Sequence, residues 1–141
     1  MAPTPPSPLA SPARSPIPRP TNGELEILRV LWRRGPSTVR EVHEAVAEGR
    51  PVGYTTVLKL LQIMVDKGLV NRDESVRSHV YQAAVSEDAT QRRLVSDLLD
   101  RAFEGSALGL VMQALAARPA SPEELRQIRA LIDQMKKDGR V

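Results

Sequence analysis

From residue 21 onward, apolar positions recur at helical spacing in blocks separated by glycine and proline. Thr21 stands three residues before Glu24, the spacing of a capping box, and Leu25, Leu28, Leu31 and Trp32 follow at helical intervals. Gly35 and Pro36 close this first helix. The device recurs at Thr38 and Glu41, where Val39, Val42 and Val46 share one face of a short second helix. It stops near Gly49, and Pro51 bars its continuation. A third helix is predicted from Tyr54 to Lys67, with Gly68 turning the chain out of it.

After Gly68 the period shortens, and Leu69 to Asp73 and Val76 to Tyr81 read as two short strands joined by a polar turn at Glu74 and Ser75. Beyond Ser86 the helical period returns. Leu94, Val95, Leu98, Leu99, Ala102 and Phe103 make one apolar stripe, and Leu108, Val111, Ala114 and Leu115 a second. Ser121, Pro122 and Glu124 announce a last helix, along which Leu125, Ile128, Ile132 and Met135 repeat at coiled-coil spacing. Three helices and a hairpin in this order predict a mainly α fold: a winged helix-turn-helix with a small two- to three-stranded wing over residues 21–85. The helical segment over 86–141 carries more apolar surface than that domain can cover, so it is expected to be a dimerisation arm. Leu94, Leu98, Leu99, Phe103, Leu125, Ile128, Ile132 and Met135 are its expected contacts.

The third helix has two distinct faces. With Thr55 set at zero and about 100° per residue, Lys59, Gln62 and Asp66 fall within about 40° of it. Thr56 and Ile63 lie near 80 to 100°, and Val57, Leu60, Leu61, Met64 and Val65 fill the opposite arc, with Leu58 at the margin. The polar side carries hydroxyls and one lysine near its start, which suits base edges and phosphate in a groove, although an ordinary solvated face would look similar. Arg72, Arg77 and His79 likewise fit either a wing beside the DNA backbone or plain solvated positions.

Composition narrows the classes. The chain has 141 residues, a net charge of +3 and a pI near 9.7, which permits an anionic partner without demanding one. Eight of its 12 prolines fall within residues 1–20, so this Pro/Ser-rich stretch is expected to be a disordered tail. It is either a solubilising appendage or, through Arg14 and Arg19, a basic arm for DNA phosphate. With no cysteine there is no disulfide framework, thiolate zinc site or cysteine nucleophile. Only His43 and His79 are available as histidine ligands, and His43, beside Glu44, reads as a surface residue. Neither a phosphate-binding glycine loop, an HExxH motif nor a nucleophile elbow occurs. The expectation is a non-enzyme without metal, cofactor or small-molecule substrate. No apolar run approaches the roughly 18 residues of a membrane span, so a cytoplasmic protein is expected.

The segments ELEILRVLW, STVREVHEAV, YTTVLKLLQIMVDKGLV and HVYQAAVSED together resemble the BlaI/MecI penicillinase-repressor family of winged-helix regulators. FEGSALGLVMQAL resembles the stretch that follows the first helix of that family's arm. The resemblance implies a homodimeric repressor that binds an inverted repeat in double-stranded DNA. By position it implies that Thr55, Thr56 and Lys59 meet base edges and phosphate, with Tyr54 at the start of the recognition helix. Thr38 and Arg40 would grip backbone phosphate, and Arg72 and Arg77 would belong to the wing. The long N-terminal extension and the neutral Leu58, where a basic residue can occur, depart from the family and leave the operator sequence open.

Some members of the family are cut by a membrane-bound sensor metalloprotease before a phenylalanine of the arm. The matching bond here is Ala102 to Phe103; Phe103 is more simply a core or dimer-interface residue, and the two readings are compatible because a cut there would sever the arm. A copper-responsive branch uses C-terminal cysteines, which this chain lacks. Release from DNA by a ligand or partner without cleavage is the alternative, and a winged helix used only for protein contact is a further one.

Overall fold

The computed structural model describes residues 18–139. The tail expected over residues 1–20 lies, up to Ile17, outside them. Pro20 is already buried, so the folded part begins just before the first helix. In chain order the elements are α1 (Asn22–Arg34), β1 (Ser37–Thr38), α2 (Val39–Ala47), α3 (Tyr54–Lys67), β2 (Val70–Asp73) and β3 (Val80–Ala83), then α4 (Glu87–Ala102), α5 (Ala107–Ala117) and α6 (Pro122–Lys137). The described residues form two compact units that divide within α4, between Ser96 and Asp97.

Both capping boxes form. Thr21 Oγ1 accepts from the Glu24 N–H at 3.3 Å while Glu24 Oε1 accepts from the Thr21 N–H at 2.9 Å, and Thr38 and Glu41 repeat the exchange at 3.2 and 2.9 Å. Gly35 and Gly68 end α1 and α3 at φ of 84° and 81°, a region that favours glycine. α3 packs on α1, α2 and β2, and the core of this unit is Ile27, Leu28 and Leu31 from α1, Val39, Val42 and Val46 from α2, and Val57, Leu61 and Met64 from α3. Leu69, Val70 and Tyr81 close it from the sheet side. Each fully buried aliphatic side chain contributes about 1.5 to 3 kcal/mol.

The wing has three strands, within the two to three expected, and its second strand differs from the sequence pattern. The second strand starts at Val80, not Val76, because the Asp73 carboxylate accepts from both the backbone N–H (2.9 Å) and the hydroxyl (2.6 Å) of Ser75, bending the chain away from the ladder. Arg77 and His79 therefore stand on a loop. A third strand, β1, pairs antiparallel with β3 (Ser37 opposite Tyr81, Thr38 opposite Val80), and β3 pairs with β2 (Val70 opposite Ala83), in the order β1-β3-β2. Two residues are too few to show a strand period, and Thr38 was legible only as a cap.

Two long-range polar contacts tie the first unit together. The Trp32 indole donates to the Val85 carbonyl at 2.9 Å, fixing the chain after β3 against α1. Glu24, 2% exposed, accepts a hydrogen bond from Lys67 Nζ at 2.7 Å, joining the start of α1 to the end of α3. Removing Lys67 leaves a buried carboxylate without its cation. Lys67→Met is expected to lower stability in urea unfolding by about 1 to 3 kcal/mol. Arg50→Ala, which breaks the exposed pair with Glu26, is expected to leave the urea midpoint nearly unchanged. Equal midpoints for Lys67→Met and the parent would remove the pair from this role.

Candidate nucleic-acid interface

The two faces of α3 separate as its periodicity requires. Val57, Leu61 and Met64 are buried, and Leu60 and Val65 pack half-buried against the core. Thr55, Thr56, Lys59, Gln62 and Asp66 are exposed along the opposite side, with Ile63 at its border. Core packing thus fixes which side chains α3 presents outward.

Beside this face lies an open cleft of about 720 Å³, floored by Val39 and Tyr81 and bounded by three elements. The cap and body of α2 supply Thr38, Arg40, His43 and the exposed Glu44, α3 supplies Tyr54 and Leu58, and the β2–β3 loop supplies Arg77, Ser78 and His79. The marginal Leu58 thus faces the cleft. Arg40, Lys59 and Arg77 are exposed, and among the described residues none has a carboxylate within ion-pair distance. A cation held near a surface without a counter-charge is free to pair with a phosphate. The Thr38 hydroxyl oxygen accepts the Glu41 N–H in the α2 cap, and the same side chain also hydrogen-bonds the Glu41 carboxyl. Glu41, the other half of that cap, has its carboxyl held below the ordinary range, first by the Thr38 backbone N–H and then by Arg34 at 3.6 Å. It therefore keeps its charge and stays committed to the cap.

Arg72 is the one expected wing cation that this cleft does not gather. Its Nε donates to Glu74 Oε2 at 2.7 Å, and the Tyr81 hydroxyl, ahead of Glu74, holds the guanidinium firmly in its charged form. Arg72 lies instead along a second depression with Pro36, Asn71 and Gln82. Conversely, His43 proves to be more than a surface residue. Its Nε2 lies 2.8 Å from the Val52 carbonyl, and its ring meets the Tyr54 ring edge-to-face at a centroid distance of 5.8 Å. The signal was available: His43 follows Val39 by four residues and precedes Val46 by three, which puts it on the flank of the buried stripe of α2.

An exposed helix face that carries hydroxyls, a lysine and an amide from its start, with the acidic Asp66 only near its end, and that has uncompensated arginines on two other elements beside it, suits a helix laid start-first in a major groove with its neighbours on the backbone. Among the described residues no three His, Asp or Glu side chains gather as a metal site requires, and no helix is long and apolar enough to cross a membrane.

In the second unit, α5 and α6 bury no residue at all. Leu108, Val111 and Met112 on α5 and Leu125, Leu131 and Ile132 on α6 are exposed. Phe103 and Ile128 are half-buried, and Met135 is 37% exposed. Leu94 and Leu99 are half-buried on α4, and Leu98 is exposed. The Ala102–Phe103 bond falls where α4 ends, with the Phe103 N–H donating to the Leu99 carbonyl at 3.2 Å.

Known proteins are similar to this sequence across most of its length. The transcriptional regulator BlaI of Mycobacterium tuberculosis is 32% identical over 114 residues, covering 79% of this chain and 83% of that one. The penicillinase repressor of Bacillus licheniformis is 22% identical over 120 residues, covering 85% of this chain and 94% of its own. Among solved structures, that of the monomeric form of Bacillus licheniformis BlaI in complex with the blaP half-operator matches at 25% identity and a TM-score of 0.46, covering 51% of this chain and 88% of that one. The pattern that defines the penicillinase repressor family matches residues 20–134, and the chain belongs to that family of repressors, which are not enzymes.

Proposed function

We propose that this protein is a homodimeric transcriptional repressor that binds an inverted-repeat operator in double-stranded DNA, acts in the cytoplasm, and lays the start of α3 in the major groove of each half-site. The observation that carries the reading is the exposed face of α3 with Thr55, Thr56 and Lys59, on a helix whose Tyr54 and Leu58 line the cleft where Arg40 and Arg77 stand without a carboxylate partner. The sequence relatives named above support it, since they are a transcriptional regulator and a penicillinase repressor. In this reading Thr55, Thr56 and Lys59 read bases, while Thr38, Arg40, Tyr54 and Arg77 meet the backbone. Arg72 supports the wing through Tyr81 and Glu74 more than it meets DNA.

Gel retardation of promoter fragments, with salt titration, tests this. Ala at Thr55, Thr56 or Lys59 is expected to cost about 1 to 3 kcal/mol of specific binding where a base contact is lost. Arg40→Ala and Arg77→Ala are expected to weaken all sequences alike and to reduce the salt slope by about one each. Unchanged affinity and slope in all five folded variants would remove this surface from the reading.

The arm is read as the dimer interface, with Leu94, Leu98, Leu99, Phe103, Leu125, Ile128, Ile132 and Met135 contributing. In support, the second unit leaves large side chains of α5 and α6 exposed that a twin arm would cover. A chain ending at Ser96 keeps every residue of the buried core. It is expected to sediment as a monomer and to bind an inverted repeat far more weakly, because two linked half-sites gain from effective concentration. A truncated chain that is still dimeric would move the interface elsewhere.

Induction is read as cleavage between Ala102 and Phe103 by a membrane-bound sensor metalloprotease, which would cut most of the arm away from the DNA-binding unit. The last turn of α4 has to open first, because the Phe103 N–H is engaged with Leu99. Nicking at a protease site engineered between Ala102 and Glu104 is expected to lower operator affinity toward that of the Ser96-truncated chain. Full affinity after nicking, or only intact repressor in induced cells, would favour release by a ligand or partner acting on the uncut dimer.

A further inference from the structure

The three helices that precede the β2–β3 hairpin begin differently. α1 and α2 open with complete capping boxes, whereas α3 opens at Gly53 with no side-chain hydrogen bond to its first turn. A helix start without a side-chain acceptor frays. That first turn carries Tyr54, Thr55 and Thr56, the residues on which recognition depends. Space does not explain the glycine. Its φ is −79°, open to any residue, and an added Cβ would approach only Thr56 Oγ1, at 3.9 Å.

His43 touches the residues on both sides of Gly53. Its Nε2 donates to the carbonyl of Val52 at 2.8 Å, and its ring meets the Tyr54 ring at an interplanar angle of 75°, the edge-to-face arrangement that aromatic pairs favour. His43 is itself half-buried on α2, whose own start is capped, so the clamp is anchored in a rigid element. We propose that His43 is a positioning residue for DNA recognition, replacing the missing cap of α3 by clamping Val52 and Tyr54 from outside the helix. A capping side chain would occupy the first free N–H groups of α3. An external clamp holds the turn in place and leaves those groups to a phosphate oxygen. Affinity then gains from preorganisation of the contact residues, without His43 touching DNA.

The inference rests on the DNA-binding reading above. Its test combines operator affinity with a measurement that needs no DNA, using the full-length protein and a promoter fragment that the parent protein retains. His43→Ala is expected to weaken binding about tenfold with the melting temperature little changed. His43→Gln keeps a donor at the position of Nε2 and is expected to recover part of the loss. In a Tyr54→Ala background the effect of His43→Ala is expected to shrink to less than about threefold, since coupled residues are not additive. In the DNA-free protein, the ring resonances of Tyr54 are expected to move in His43→Ala while those of Tyr81 stay. If His43→Ala proves unstable, His43→Gln and the ring resonances carry the test. Binding within twofold of the parent in His43→Ala, or a full loss that neither His43→Gln nor the Tyr54→Ala background reduces, would overturn the clamp. Absence of DNA binding by the parent protein would overturn the functional reading instead, and the Tyr54 resonances would still decide whether His43 orders the turn.

Discussion

Everything in the DNA-facing half of the molecule depends on α3 serving two surfaces at once. Val57, Leu61 and Met64 are walls of the core, and each contributes about 1.5 to 3 kcal/mol of burial. A domain of this size is stable by only about 5 to 15 kcal/mol in total, so α3 cannot roll its polar face inward without unfolding the unit. With about 100° between successive residues, that constraint alone directs Thr55, Lys59 and Gln62 outward.

Packing along the middle of a helix does not fix its ends, and here other helices hold both of them. At the C-terminal end Lys67 reaches the buried Glu24, which is at the same time half of the α1 capping box. One carboxylate oxygen therefore closes the start of α1 and anchors the end of α3. At the N-terminal end His43 holds the residues around the uncapped Gly53. The wing follows the same division of labour. Arg72 is committed to Tyr81 and Glu74 and shapes the hairpin, while Arg77, placed on a loop by the Asp73–Ser75 bend, keeps its charge unspent.

The local devices were legible in the sequence. Thr21 with Glu24, Thr38 with Glu41, Gly35 and Gly68 each announce their element through chemistry between near neighbours, and the two faces of α3 follow from its period alone. What escaped were contacts between residues far apart in the chain. Glu24 and Lys67 are 43 residues apart, Trp32 and Val85 are 53 apart, and no local pattern marks either pair. β1 escaped because Ser37 and Thr38 are too few to alternate. The pattern starts the second strand at Val76, its first apolar position, whereas the Asp73 side chain bends the chain away from the ladder until Val80. Arg72 and Arg77 are indistinguishable in sequence, and only the register that sets Arg72 opposite Tyr81 separates them.

The absence of cysteine allows the most direct measurement of where α3 lies. A single Lys59→Cys substitution can carry a chelated iron that cleaves nearby DNA, and its cuts can be mapped on a promoter fragment that the protein protects. If α3 enters the major groove of each half-site, cuts fall in two clusters related by the twofold symmetry of the inverted repeat. Scattered cuts, or a pattern no different from that of the same reagent at Arg29→Cys on the exposed side of α1, would contradict the placement of α3 in the groove.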